Sequence, residues 1–302
     1  MKVIKTSDYI AEYLCESGIK HIFGIIGSAN AHLFDSIYSH QNLDLICLHH
    51  EQACVMAAHG YFMQSGRMAA VLITAGAGTT NALTGVVGAW ADSVPILIIS
   101  GQEATKQYQN NNITRMIGIQ GVFTDSIYKS CTKRVITCMS PSQAINEIRH
   151  CHNLAKATRQ GPCIVDIPID IQGSRLHPDD IKAVSTNNGS ISKQRLDSIS
   201  SRLIDKLIEE LYKAKRPLLW LGNGLRSFER KELEIIIRDL SIPYLTSWTA
   251  NDIIDPIDKL YAGHAGTYGS RLGNIILQSC DLLITIGTRL SIPQKGYIDE
   301  EI

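Results

Sequence analysis

Runs rich in valine, isoleucine and leucine recur between longer amphipathic segments, and this alternation limits the fold more than any other feature of the chain. Such runs stand at residues 69–74, 95–100 and 163–167. A strand that reads as a continuous apolar run is covered on both faces, as in a parallel sheet, whereas a sheet with one wet face alternates. The same pattern places strands at 21–26 and 45–48. Helical segments lie between them at 28–38, 51–64, 79–91 and 141–157. Strand followed by helix, repeated, predicts a doubly wound α/β domain built on a parallel sheet.

The pattern pauses after Gly173. Residues 185–192 are polar, without aromatics or a clear period, and read as a surface linker. It resumes with helices at 195–214, 231–240 and 269–279 and strands at 217–221, 244–246 and 282–286. We therefore expect two doubly wound α/β domains with parallel sheets, over residues 1–173 and 195–302, joined by a linker over 174–194. No capped helix or complete strand precedes Ile302, so the second domain is expected to be incomplete.

Composition narrows the function classes. Lys+Arg and Asp+Glu both number 29, so no basic field exists to hold a nucleic-acid backbone. The eight cysteines (15, 47, 54, 131, 138, 151, 163 and 280) show no C-x-x-C spacing, and no metal site is expected from them. Those in apolar runs, such as Cys47 and Cys163, read as small buried hydrophobes. The first ten residues lack the apolar stretch of a signal peptide. The longest apolar segment, around residues 68–75, falls far short of the roughly 20 residues that span a bilayer. The expectation is a reducing cytoplasm, with no membrane and no nucleic acid as partner.

Three segments could carry chemistry. Glu51 follows a strand read as apolar throughout and opens a helix, and open α/β sheets bind ligands at the carboxyl ends of their strands. A carboxylate there also has a purely structural reading, because it caps free N–H groups and suits the helix dipole. His50, Glu51 and His59 lack the spacing of a helical zinc motif. The second segment, Thr74-Ala75-Gly76-Ala77-Gly78-Thr79-Thr80-Asn81, is a strand, a small-residue turn and a helix start. It reads either as a seat for a flat or anionic ligand or as a tight connection. The third is the long stretch 103–126, with Asn110, Asn111, Asn112, Arg115 and Gln120. Long loops in compact domains tend to be functional, and an ordinary solvated loop is the alternative.

In this order the segments resemble the thiamine-diphosphate enzymes of the acetolactate synthase and pyruvate oxidase type. The matching strings are Ile22-Phe23-Gly24 with Gly27; His50-Glu51-Gln52-Ala53 with Gly60-Tyr61; Gly76, Gly78 and Thr80-Asn81; Asp92-Ser93-Val94-Pro95; Ser100-Gly101-Gln102; and Val165-Asp166-Ile167-Pro168. They identify the family's pyrimidine-binding domain. Leu219-Trp220-Leu221-Gly222-Asn223-Gly224 and Ile286-Gly287-Thr288-Arg289-Leu290 resemble its central domain.

The resemblance implies a carboligase or decarboxylase acting on pyruvate or another 2-oxo acid, acetolactate formation first, in branched-chain amino acid biosynthesis. It makes Glu51 the carboxyl that meets a pyrimidine nitrogen of thiamine diphosphate and helps to remove the thiazolium C2 proton. Burial raises a carboxyl's pKa toward the range that such proton exchange needs. Gln120 aligns with an active-site glutamine. Gly27, Ser28, Gly76, Ala77, Gly78 and Asn81 align around the cofactor, and Arg159 aligns with an arginine that contacts FAD. A homodimer or homotetramer is implied, with Mg2+ and the diphosphate held by a further domain from a later segment or a partner chain.

The chain departs from the family in three places. Ile26-Gly27-Ser28 replaces a Pro-Gly-Gly run near the substrate tunnel, which leaves a decarboxylase or acyltransferase of the same family open. His264-Ala265 and Leu290-Ser291-Ile292 replace flavin-contacting residues, so FAD is an open expectation. The Gly-Asp-Gly motif for Mg2+ is absent, and a non-catalytic remnant that keeps the fold is the reading of a different class.

Overall fold

The computed structural model describes residues 3–109, 115–177, 181, 201–255 and 258–296. The chain divides into two compact units, Met1–Gln194 and Arg195–Ile302.

In the first unit β1 (Ile4–Lys5) leads into α1 (Thr6–Glu16), β2 (His21–Gly24), a 3-10 turn (Ser28–Asn30), α2 (Ala31–Tyr38), β3 (Asp44–Cys47) and α3 (Glu51–Ser65). There follow β4 (Ala70–Ile73), α4 (Ala77–Ala91), β5 (Leu97–Gln102), the short α5 (Thr105–Gln109) and α6 (Thr124–Tyr128), β6 (Arg134–Thr137), α7 (Pro141–Lys156), β7 (Cys163–Pro168), α8 (Ile169–Gly173) and β8 (Arg175–Leu176). Six strands form one parallel sheet in the order β3-β2-β4-β5-β7-β6. The two short strands, β1 and β8, pair antiparallel.

Each face of the sheet buries its own core. Ile22, Ala70, Leu72, Leu97, Ile99 and Val165 meet α1, α2 and α7 on one side. Phe23, Val71, Ile73, Ile98 and Ile164 meet α3 and α4 on the other. Alternate residues of β4, β5 and β7 thus serve opposite cores, which is why β4 is apolar throughout and β5 and β7 are apolar but for Ser100, Gln102 and Asp166. Burying each such aliphatic side chain contributes about 1.5–3 kcal/mol.

Topology then creates a crevice. From β2 the chain runs outward to β3 on one side and returns to β4 on the other. Where strand order reverses, the connections leave the sheet in opposite directions, and open α/β sheets bind ligands at such a point, here beside the carboxyl ends of β2 and β4.

Several expectations need correcting. The strand before Glu51 is not buried: β3 is an edge strand, with Ile46 and Cys47 exposed. Cys47 is therefore no core residue, whereas Cys163 is fully buried. The helix read over 28–38 is a 3-10 turn followed by α2, because the Asn30 side chain binds Gly27 N and Ile25 O and holds the entry turn apart. The strand β6 and helix α1 have no counterpart in the pattern reading. All four residues of β6 are half-buried, and as an edge strand it lacks the continuous apolar signal. Two residues of the stretch read as linker, Arg175 and Leu176, pair with β1. Residues 185–192 lie outside the described residues, as do Asn110, Asn111 and Asn112.

The second unit carries a three-stranded parallel sheet, ordered β10-β9-β11, from β9 (Pro217–Leu221), β10 (Tyr244–Thr246) and β11 (Leu282–Ile286). Helices over Ser201–Lys213, Arg230–Leu240 and Arg271–Ser279 accompany it. Among the described residues no helix is long and apolar enough to cross a membrane.

One buried histidine gives the first unit a pH signature. His152 on α7 is 4% exposed and meets the Tyr13 hydroxyl through Nδ1 at 2.9 Å. Burial pushes its pKa down to about 4, with the Lys156 charge adding to the effect. The folded value lies below the unfolded one, so the unfolded chain takes the proton first. Stability from this group is complete above pH ~6.5 and is lost as pH falls toward 4, by about 3 kcal/mol. Urea midpoints between pH 4 and 7 should therefore fall more steeply with acid in the wild type than in His152→Gln. Parallel curves would contradict the assignment.

Candidate active site

The site stands at the strand-order reversal and begins with Glu51. His50 caps α3, accepting a hydrogen bond at Nδ1 from Gln52 N at 3.2 Å. The cap is thus supplied by the preceding residue, and the Glu51 carboxylate is released from that duty. Glu51 is buried, at 8% exposure. Asn81 Nδ2 on α4 donates to its Oε2 at 2.9 Å. Among the described residues Oε1 receives no hydrogen bond. A buried carboxylate held through one oxygen keeps its other oxygen for a further partner.

The small-residue turn closes around this carboxyl. A β-carbon on Gly78 would lie 3.1 Å from Glu51 Oε1 and 2.8 Å from Thr74 Cγ2. Gly76 has φ +69° and ψ −116°, a conformation open to glycine alone. A β-carbon there would lie 2.1 Å from the Gln120 carbonyl oxygen. Gln120 in turn donates from Nε2 to Ala75 O at 3.0 Å. Gly27 lies against the Thr74 side chain. The Thr74 hydroxyl is buried and has no partner among the described residues.

The structure thus brings together Glu51, Asn81, Gly78, Gly76, Gln120 and Gly27. Ser28 and Ala77 are exposed on the same turns. Arg159 stands apart. It is exposed and donates from Nε to Ser93 Oγ at 2.9 Å, beyond the far end of α4. With about 1.5 Å rise per residue, that end lies roughly 15 Å from Asn81.

Sequence reasoning quoted Thr74, Gln102, Glu103 and Asp166 within its segments and matching strings but gave none of them a role of its own. Glu103 Oε1 accepts the Gln120 N–H at 3.2 Å. Asp166 is completely buried within β7. The available signal was the polar residues embedded in apolar strands, Ser100 in β5 and Asp166 in β7.

Among the described residues no three His, Cys, Asp or Glu side chains stand together as a metal site. In the second unit, a β-carbon on Gly222 would lie 2.2 Å from the Gly287 carbonyl oxygen, and one on Gly266 would lie 2.3 Å from that of Pro293. Thr267 N also donates to Pro293 O at 2.7 Å. These close approaches are made by the unit's own backbone.

A carboxyl with one clamped oxygen and one that receives no hydrogen bond among the described residues, beside a glycine turn, can hold the edge of a flat nitrogen heterocycle and exchange a proton with it. Residues 4–127 match the family model for the N-terminal TPP binding domain of thiamine pyrophosphate enzymes, and residues 204–301 match the model for their central domain. The acetolactate synthase large subunit of Haemophilus influenzae is 28% identical over 298 residues, covering 96% of this chain and 49% of that protein. Isozyme 3 of Escherichia coli K12 is 25% identical over 297 residues, with the same coverage. The probable large subunit of Methanococcus aeolicus is 31% identical over 287 residues, covering 93% of this chain and 46% of that protein. The chain spans about half the length of these curated relatives.

Proposed function

This chain belongs to the thiamine pyrophosphate enzyme family, and from that premise we propose that it supplies the pyrimidine-facing half of an acetolactate synthase-like active site. The observation that carries the reading is the Glu51 carboxyl, fixed through Oε2 by Asn81 and facing Gly78 with Oε1 free among the described residues.

Thiamine diphosphate, when bound, supplies the electron sink that lets a 2-oxo acid lose CO2. This chain's residues hold and orient. Glu51 shares a proton at Oε1 with a ring nitrogen, and Asn81 keeps the carboxyl from rotating away. Gly76 and Gly78 let the turn close on the Gln120 backbone, the Thr74 side chain and the Glu51 carboxyl, where any side chain would intrude. Gln120 stands beside the same turn, with the second proton of its Nε2 as a donor to the substrate carboxylate or carbonyl. The unpartnered Thr74 hydroxyl offers one further hydrogen bond.

Mg2+ would need ligands from outside the described residues, in a further segment or a partner subunit, and a homodimer or homotetramer is the natural assembly. For FAD the second unit fits poorly, because its glycine turns pack on one another, and we assign no step to it.

Calorimetric titration of thiamine diphosphate with Mg2+ into the full-length gene product should give saturable binding. The loaded protein should then release CO2 from pyruvate and form acetolactate. CO2 release without acetolactate would favour the decarboxylase branch. Bound cofactor with no release from any 2-oxo acid would overturn the reading.

A further inference from the structure

Asp166 is fully buried at the carboxyl end of β7, in register with Ser100 of β5 and Thr137 of β6. These three form a polar row on a face whose preceding positions are Ile98, Ile164 and Val135. Among the described residues no lysine, arginine or histidine pairs with Asp166. A buried, unpaired carboxyl is unfavourable, and burial pushes its pKa up to about 6. An apolar residue would suit the core better, so the position calls for a reason.

The hydrogen bonds suggest one. Asp166 Oδ2 accepts from Gln102 Nε2 at 3.1 Å and from Thr137 Oγ1 at 3.4 Å. Gln102 Nε2 also donates to Val122 O at 3.0 Å, and its Oε1 accepts from Glu103 N at 3.0 Å. This amide has one possible orientation, because its nitrogen faces two acceptors and its oxygen a donor. Gly121 lies flat on it: a β-carbon there would stand 2.6 Å from Gln102 Oε1. Ile117 and Gly121 exchange hydrogen bonds of 2.8 and 3.1 Å and close the turn that carries Gln120.

We propose that Asp166 is a positioning residue, acting through the Gln102 amide to anchor the 117–121 turn and so to set Gln120 against Ala75 and Gly76. The assignment of Gln120 to substrate rests on the function proposed above; the anchoring itself does not. The carboxyl fixes the amide and the amide fixes the Val122 carbonyl. The turn then has one place to sit.

Amide hydrogen exchange on the full chain tests the anchoring. Gln102→Ala and Asp166→Ala should each raise exchange at Ile117 and Gly121 by about tenfold or more, the equivalent of one hydrogen bond to a charged group. Exchange in β4 should stay unchanged. Asp166→Asn retains an acceptor for Gln102 and should restore most of the protection. Should Asp166→Ala fail to fold, Gln102→Ala carries the test. In the loaded full-length protein, Gln102→Ala should lower kcat/KM for the 2-oxo acid, and adding it to Gln120→Ala should lower it no further. Unchanged turn exchange in folded Gln102→Ala would overturn the proposal, as would additive kinetics. Faster turn exchange without cofactor binding would uphold the anchor and remove the function instead.

Discussion

Glu51→Gln should leave the fold standing and remove most of the proton chemistry. Glutamine matches glutamate in size, and its amide oxygen can still accept the hydrogen bond from Asn81. The substitution therefore leaves no cavity at a position 8% exposed, and the stability change should stay within about 1 kcal/mol. An amide cannot take up and return a proton near neutral pH. A positioned acid/base group contributes about 10²–10⁴-fold. Exchange of the C2 hydrogen of bound thiamine diphosphate, followed by NMR on the loaded full-length protein, should slow by at least about 100-fold. Cofactor affinity should change much less. Undiminished C2 exchange in a folded variant would remove Glu51 from the chemistry.

The second large effect is expected at Gly76. Alanine there meets two penalties at once. Its φ of +69° with ψ of −116° lies where side-chain-bearing residues are strained by about 1–3 kcal/mol. Its β-carbon would also stand 2.1 Å from the Gln120 carbonyl, a main-chain atom that cannot rotate aside. The 117–121 turn must move or the strand-to-helix connection must refold. Gly76→Ala should lower the unfolding free energy by about 2–4 kcal/mol and weaken thiamine diphosphate binding by at least about tenfold. Gly66→Ala is the matched control. Gly66 also has positive φ, at +67°, yet a β-carbon there meets nothing within 4 Å. It bears the conformational strain alone, about 1 kcal/mol. Equal denaturation midpoints for the two variants would contradict the close contact with Gln120.

How much was legible depended on range. The core strands were read to within two residues because Val71 and Leu72, or Ile98 and Ile99, serve opposite cores, and that leaves an unbroken apolar run. Strand β6 escaped because an edge strand is half wet and carries a mixed pattern. The exposure of β3 escaped for a different reason. Its residues look like a core strand, and only its place at the end of the sheet leaves Ile46 and Cys47 in solvent. Glu51 and the 74–81 turn were readable as site candidates, since a strand end followed by a helix start is a local signal. Asp166 gave no such signal beyond its polarity, because its partner Gln102 lies 64 residues away.

By itself the sequence determined the two parallel α/β units and the start of α3 at a carboxylate, since periodicity and helix entry are written in neighbouring residues. Tertiary structure alone decided that Asn81 clamps Glu51 from 30 residues away. It also decided that Gln120 closes on Ala75 from 45, and that the turn between them needs glycine at 76. The physical reason is that hydrophobic burial is non-directional and follows local pattern, whereas a site is made of directional contacts between groups that meet only once the sheet has set its strand order.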